Sequence, residues 1–246
     1  MRPEVIVDSL DGLVARAADR FAAVAGGAIE ARGMFSCALP GGSVAESMFP
    51  VFARLPLAWD HVHIFFGDER AVPETDPDSN SGLARKLWLD RVPAHVHVMP
   101  AKQGDLDAAA RAYTEELRST LGDPPRIDVM LLGMGPDGHV CSLFPGHPLL
   151  RERSRWVAGV TDSPKPPPRR LTLTMPVLAA ARSIWVGAFG AAKAPILREA
   201  IQDGGSQLPV ALATRSGPPA STRWKARWAA EALMAPAFGI SAPPAR

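Results

Sequence analysis

The sequence predicts an α/β protein with a doubly wound, mainly parallel sheet that carries helices on both faces. Apolar, strand-like segments alternate with amphipathic helical segments on a cycle of about 30 residues, which is the pattern of repeated βαβ units. Several of these strands are apolar throughout, as in sheets that are covered on both sides. The chain has 246 residues, of which 47% are apolar and 21% are charged, and this is enough for a sizeable core.

The elements follow in order along the chain. The first is an amphipathic helix over residues 11–32, with apolar residues at Leu13, Ala17 and Phe21 and with Gly33 as its stop. Residues 34–39 form a buried strand that runs into a glycine pair and then a helix over residues 44–54. The remaining strands are predicted over residues 62–66, 96–99, 127–132, 156–160, 171–174, 183–189 and 210–213, and the remaining helices over residues 82–89, 105–121, 192–201 and 224–233.

The organisation of the chain predicts a single catalytic domain over residues 1–235 and a flexible C-terminal tail over residues 236–246. The longest stretch without Asp, Glu, Lys or Arg is residues 232–245, which proline interrupts and which is shorter than the about 18 residues needed to cross a bilayer. The N-terminus lacks the pattern of a secretory signal. We therefore expect a cytoplasmic protein with no membrane partner.

Charge and cysteine content exclude further classes. The chain has 27 Lys and Arg against 25 Asp and Glu, a net charge of +2, so no nucleic-acid partner is indicated. Cys37 and Cys141 lie far apart and form no C-x-x-C pair, which argues against a disulfide framework or a thiolate metal site. Both the monomer and the homodimer remain open.

The candidate catalytic and ligand-binding residues lie mainly in loops that follow strands, which is where parallel sheets bind their ligands. The glycine-rich loop after residues 127–132 brings Asp137 and His139 two positions apart. A neutral imidazole can take a proton from water and return it, and an adjacent carboxylate can orient it. The loop after residues 62–66 contains Asp68 and Arg70, which either meet a polar ligand or form an ordinary solvated loop.

The glycine pair Gly41 and Gly42, followed by Ser43 and a helix, predicts an anion site, because backbone N–H groups at a helix N-terminus attract phosphate. The segment also approaches the G-x-S-x-G nucleophile elbow, so a serine hydrolase stays an alternative. Arg169, Arg170 and Lys193 are the cations that could complete a phosphate site.

Two histidine pairs could suit a metal ion. His61 pairs with His63, and His95 pairs with His97, each on one strand face. Because no third ligand is evident, we expect neither a metal nor another cofactor.

Taken together, these motifs resemble the glucosamine-6-phosphate isomerase/6-phosphogluconolactonase family, whose fold is related to that of ribose-5-phosphate isomerase. Several motifs in a fixed order are far more specific than any one of them. The resemblance spans nearly the whole chain. It rests on L-P-G-G-S at residues 39–43, G-D-E-R-A-V-P at 67–73, Ser79 and Asn80, L-L-G-M-G-P-D-G-H at 131–139, S-L-F-P-G at 142–146, S-P-K-P-P at 163–167, R-L-T-L-T at 170–174, and residues 190–193.

The resemblance implies hydrolysis of 6-phospho-D-glucono-1,5-lactone in the oxidative pentose phosphate pathway, without a metal. Within this framework His139 is the catalytic base, and Asp68, Arg70 and Asp137 shape the site. The phosphate-binding residues implied for this chain are Gly41, Gly42, Ser43, Arg170 and Lys193.

Three features depart from the family pattern: Val44-Ala45 replace Thr-Pro, Val140-Cys141 replace Thr-Ala, and Arg227 stands near a position where the family often has an acid. The first departure removes a hydroxyl from the phosphate loop and predicts weaker binding. The alternative functions are an amino-sugar phosphate deaminase or isomerase and a non-catalytic sugar-phosphate sensor. The deaminase would need a further acid shortly after the histidine, and residues 140–148 contain none.

Overall fold

A parallel sheet forms the centre of the fold, and a small antiparallel sheet stands beside it. The computed structural model describes residues 4–102, 104–215 and 231–232. The strands within these residues are β1 (Phe35–Leu39), β2 (Val62–Phe66), β3 (Asp68–Arg70), β4 (His95–Val96), β5 (Val129–Gly133), β6 (Val157–Val160), β7 (Arg170–Leu173), β8 (Ile184–Ala188) and β9 (Glu231–Ala232).

The larger sheet has the strand order β4-β2-β1-β5-β8-β9, and all of its pairings are parallel. The smaller sheet has the order β3-β7-β6, and both of its pairings are antiparallel. The expectation of a mainly parallel α/β fold is therefore confirmed. The helices are α1 (Leu10–Arg32), α2 (Gly42–Phe52), α3 (Asn80–Leu87), α4 (Leu106–Leu121), α5 (Met175–Ala180), α6 (Ala194–Gln202) and α7 (Pro209–Arg215).

Helix α1 shows how local sequence sets the boundaries of an element. Ser9 caps its start, because the Ser9 hydroxyl accepts a hydrogen bond from the Gly12 N–H at 3.1 Å. Gly33 ends it with a φ of 76°, a left-handed conformation that glycine adopts without steric cost. The buried face of the helix includes Leu13 and Phe21, both fully buried.

Aromatic side chains fill the core between α1, α2 and the sheet. The Phe21 ring lies 5.1 Å from that of Phe35, edge to face, and 4.6 Å from that of Phe52, stacked. Trp88 is fully buried and contacts the Phe21, Phe49, Phe52 and Trp59 rings. This packing fixes α2, whose first turn borders the cleft described below.

Several sequence-based expectations were wrong. Residues 210–213 belong to helix α7 rather than to a strand, because a short apolar run fits either element and Pro209 suits the first helical position. The polar loop 67–80 contains strand β3, whose partner β7 lies about a hundred residues further on, so local sequence gives no sign of the pairing. Helix α5 was also missed.

The C-terminal predictions are only partly tested. Residues 231–232 form β9, which pairs with β8, so the helix predicted over 224–233 is wrong at these two positions. The rest of that segment and the predicted tail over residues 236–246 lie outside the described residues. In the part of the chain that the structure describes, no helix combines the length and the apolar character that a membrane span requires.

Candidate active site

A cleft of about 160 Å³ lies at the carboxyl ends of β1, β2 and β5, where a parallel sheet is expected to bind its ligand. Five chain segments converge there, because the strands that they belong to or follow are neighbours within the two sheets. The residues that border the cleft are Pro40, Gly41, Gly42, Ser43, Val44, Gly67, Asp68, Arg70, Leu131, Leu132, Gly133, Met134, Gly135, His139, Cys141, Arg170 and Lys193.

The first turn of α2 faces this cleft with its backbone donors. Gly41 is the residue before the helix, no side chain among the described residues caps the turn, and Gly42 has a φ of 63° that favours glycine. The N–H groups of a first helical turn have no partner within the helix. Ser43 is exposed beside them. The turn can therefore hold an anion such as a phosphate monoester.

The loop after β5 presents Asp137 and His139 together. The Gly135 N–H donates to the carbonyl of His139 at 2.9 Å, and Gly138 has a φ of 81°, so the chain closes a tight turn. A Cβ at position 135 would lie 2.0 Å from the Nδ1 atom of His139, which explains the glycine there. Within this turn, the Nδ1 atom of His139 lies 2.5 Å from Oδ1 of Asp137.

The electrostatics of this pair suit a base. Burial opposes ionisation of Asp137, but the hydrogen bonds from His139 and Lys165 outweigh it and lower the pKa of Asp137 to about 2. Burial also lowers the pKa of His139, against the opposing effect of Asp137, and the Lys165 ammonium lowers it further. His139 is therefore neutral near pH 7. With Nδ1 donating to the ionised Asp137, its Nε2 remains as the acceptor.

Asp68 lies beneath the cleft in a buried polar network. It accepts a hydrogen bond from the Ser142 hydroxyl at 2.6 Å and one from the Asn80 amide at 3.2 Å. The Nη1 atom of Arg170 lies 3.9 Å from its Oδ2 atom. Asp68 is only 6% exposed and its carboxylate is occupied by these partners, so it supports the cleft walls rather than acting as a base.

Cations also border the cleft. Arg70 donates from Nη1 to the carbonyl of Asp78 at 2.5 Å, and its buried Nε has no hydrogen-bond partner among the described residues. Burial lowers the pKa of Lys193, and the nearby Lys165 lowers it further. Arg169, in contrast, is exposed and donates to the carbonyl of Gly104 at 2.6 Å. Arg70, Arg170 and Lys193 thus border the same cleft as the first turn of α2.

The structure brings the sequence-predicted site residues together. Those that border the cleft are Gly41, Gly42, Ser43, Asp68, Arg70, His139, Arg170 and Lys193. Asp137 is not among the bordering residues, but its carboxylate contacts the imidazole of His139. Sequence reasoning missed Lys165, whose Nζ lies 3.3 Å from Oδ1 of Asp137 and 3.2 Å from Nδ1 of His139. The feature of the sequence that could have identified Lys165 is the S-P-K-P-P motif, to which it belongs. Asn80 and Ser142, which support the cleft, also belong to motifs named above.

The histidine pairs do not form a metal site. In residues 4–102, 104–215 and 231–232, no group of three or more His, Cys, Asp or Glu side chains has a geometry suited to a metal ion. The His63 ring instead stacks on those of His95 and His97, and the Nδ1 atom of His63 lies 3.0 Å from Nε2 of His97. His61 and His95 pair with the backbone carbonyls of Gly33 and Asp60, so the imidazole nitrogens have separate partners rather than converging on a point.

Comparison with known proteins identifies the family to which this chain belongs. A family model described as glucosamine-6-phosphate isomerases/6-phosphogluconolactonase matches residues 8–224, most of the chain. The chain belongs to this family. The resemblance seen in the motifs is therefore confirmed, and the family match includes the α2 turn, the Asp137 and His139 loop and Lys193.

Curated relatives support the same assignment. A 6-phosphogluconolactonase of Mycobacterium tuberculosis is 44% identical over 210 residues, which cover 80% of this chain and 85% of the relative. A 6-phosphogluconolactonase of Rattus norvegicus is 42% identical over 192 residues, which cover 74% of each chain. Family members from a bacterium and a mammal are thus similar to this chain over most of their length.

Solved structures of the family share the fold. The 6-phosphogluconolactonase of Trypanosoma brucei superposes with a TM-score of 0.79 at 26% identity, covering 94% of this chain and 95% of that one. A monomeric glucosamine-6-phosphate deaminase superposes with a TM-score of 0.75 at 20% identity, covering 95% and 97% of the two chains. The deaminase likeness concerns the fold alone.

Proposed function

We propose that this chain hydrolyses 6-phospho-D-glucono-1,5-lactone to 6-phospho-D-gluconate, the lactonase step of the oxidative pentose phosphate pathway. The observation that carries the proposal is the Asp137 and His139 pair, which opens into a cleft bordered by cations and by the first turn of α2. The relatives at 44% and 42% identity that are named 6-phosphogluconolactonase support it.

The chemistry needs a base that is neutral at physiological pH. Nε2 of His139 takes a proton from a water molecule, whose oxygen attacks C1 of the lactone and forms a tetrahedral intermediate. The C1–O bond to the ring oxygen then breaks, and the protonated His139 returns the proton to that oxygen. Asp137 holds the imidazole in the required tautomer and stabilises its charged form. A lactone is an activated ester, so this route requires no covalent nucleophile.

The phosphate end of the substrate lies against the α2 turn in this proposal. The backbone N–H groups that follow Gly41, together with Ser43 and Lys193, supply donors and positive charge to the phosphate. Binding energy from this remote group holds C1 near the water and lowers the entropic cost of the reaction. Arg70 adds positive charge that stabilises the anionic substrate and the developing oxyanion.

The alternatives receive less support from the site. A deaminase would need an acid in residues 140–148, and none is present. A serine hydrolase would need a histidine on the Ser43 hydroxyl, and no hydrogen bond joins them within the described part of the chain. The cationic cleft by itself would suit a non-catalytic sugar-phosphate sensor, but such a sensor has no need of the paired Asp137 and His139.

The test follows acid release from freshly prepared 6-phosphogluconolactone with the purified chain, against the spontaneous hydrolysis of a buffer blank. We expect acceleration over the blank and a lower kcat/KM on unphosphorylated gluconolactone. Glucosamine 6-phosphate is the control for deaminase activity, with ammonia as the measured product. Ammonia release without lactone hydrolysis would replace this proposal with the deaminase.

A further inference from the structure

Arg170 borders the cleft, yet most of its hydrogen-bonding capacity is used elsewhere. Its Nε donates to the carbonyl of Pro167 at 2.9 Å, and its Nη2 donates to the carbonyls of Lys165 at 2.9 Å and Pro166 at 3.0 Å. These bonds occupy three of the five N–H groups of a guanidinium. The other two, on Nη1, face Ser142 and Asp68. Arg170 is only 3% exposed, so little of it is left for a ligand.

The loop that Arg170 holds carries Lys165 against the catalytic pair. The Ser163 hydroxyl donates to the carbonyl of Lys165 at 2.8 Å, so two side chains fix the backbone of this one residue. From that position, Nζ of Lys165 lies 3.3 Å from Oδ1 of Asp137 and 3.2 Å from Nδ1 of His139. Arg170 and the pair are therefore linked through one lysine.

We propose that Arg170 is a positioning residue that clamps residues 165–167, so that Lys165 is held on the Asp137 and His139 pair, while phosphate recognition belongs to the α2 turn and Lys193. This inference rests on the proposed lactonase function and reassigns Arg170, which the sequence placed on the phosphate. Lys165 keeps Asp137 ionised by donating to the same oxygen that accepts from His139. It also disfavours a positive charge on the imidazole, so His139 stays in the neutral form that can act as a base.

The charged groups around His139 determine the sign of the effect. Asp137 and Asp68 favour the protonated imidazole, and Lys165 opposes it. Removing the Lys165 charge therefore raises the pKa of His139. Catalysis needs the neutral base, so the acidic limb of the kcat/KM profile moves to higher pH when Lys165 is lost.

The first experiment is an NMR titration of His139 without substrate, in the wild type and in Lys165→Met, Arg170→Lys and Arg169→Met. The His139 signal is identified by its loss in His139→Gln. We expect a higher pKa in Lys165→Met and a change in the same direction in Arg170→Lys, because a shorter cation cannot bridge three carbonyls. Arg169→Met is the matched control and leaves the titration unchanged.

The second experiment compares two substrates. We expect Arg170→Lys and Lys165→Met to lower kcat/KM by about 10-fold to 100-fold on phosphorylated and unphosphorylated gluconolactone alike, because small misplacements of a catalytic group have effects of that size. The preference for the phosphorylated lactone is thus retained. Lys193→Met, by contrast, loses that preference. Circular dichroism and thermal unfolding verify that each variant is folded. Because Lys165 is partly exposed, Lys165→Met is expected to fold, and it tests the effect on His139 even if Arg170→Lys does not fold.

Two outcomes would overturn the inference. One is an Arg170→Lys enzyme that loses only its preference for the phosphorylated lactone, which would make Arg170 a phosphate ligand. The other is a His139 titration that does not respond to Lys165→Met. If the wild type accelerates hydrolysis of neither lactone, the proposed function fails, and the titrations still report separately whether Arg170 and Lys165 act on His139.

Discussion

The Asn80 side chain occupies the space that a Cβ at Gly41 would need. A Cβ built at position 41 would lie 1.8 Å from the Oδ1 atom of Asn80. Asn80 cannot easily yield, because its amide donates to the carbonyl of Asp68 at 2.8 Å and to the carboxylate of Asp68 at 3.2 Å. The glycine at the start of the α2 turn thus lets the turn approach the polar network under the cleft.

This contact predicts that Gly41→Ala displaces the α2 turn and weakens phosphate binding. We expect KM for the phosphorylated lactone to rise by about 10-fold or more, since a shift of the turn removes charge-assisted hydrogen bonds. Steady-state kinetics measures the effect. Gly26→Ala is the matched control, because no atom of the described part of the chain lies within 4 Å of its added Cβ on α1. An unchanged KM in Gly41→Ala would show that the turn does not bind the phosphate.

His139→Ala is expected to lower kcat by about 10²- to 10⁴-fold, the usual contribution of a general base. KM changes little, since the α2 turn and Lys193 still hold the phosphate. Initial rates of acid release, corrected for the buffer blank, measure the loss. A His139→Ala enzyme with near-normal turnover would remove the imidazole from the mechanism.

The stacked histidines predict an acid-sensitive stability. Burial, together with the nearby His97 and His95, lowers the pKa of His63 from 6.5 to about 4. The folded chain therefore favours neutral His63, while the unfolded chain binds a proton below about pH 6.5. The contribution of His63 to the free energy of unfolding is present above pH 6.5 and is lost as the pH falls toward 4.

His63→Gln tests this prediction. We expect the free energy of unfolding, measured by urea denaturation, to decrease less between pH 7 and pH 4.5 in His63→Gln than in the wild type. His61→Gln, at a half-exposed position next to the same strand, is the control. Equal slopes for His63→Gln and the wild type would contradict the prediction.

The aromatic core under α2 predicts a large effect of truncation. Phe21 is fully buried and contacts the rings of Phe35, Phe52 and Trp88. We expect Phe21→Ala to lower the free energy of unfolding by about 3–5 kcal/mol, from the lost transfer energy and the cavity left behind. Chemical denaturation measures it. Val7→Ala, at a residue 58% exposed, should change stability by less than about 0.5 kcal/mol.

Prediction from the sequence was most accurate where near neighbours determine the structure. Helix α1 has its cap, its apolar spacing and its glycine stop within one stretch, and its predicted bounds lie within one residue of those observed. Strand β2 was predicted with its observed bounds. Prediction failed at residues 209–215, where a short apolar run follows a proline, and at β3, whose partner strand is distant in the chain.

The sequence by itself determined the fold class, the family and a set of candidate site residues, because periodicity, turn glycines and ordered motifs are properties of short stretches of chain. Only the tertiary structure decided which of these residues meet. Lys165 reaches His139 across 26 positions, and Arg170, at the border of the cleft, donates three hydrogen bonds to the carbonyls of residues 165–167. Such contacts depend on how the small sheet packs beside the large one. Residues throughout the core contribute to the free energy of that packing, so no single motif predicts it.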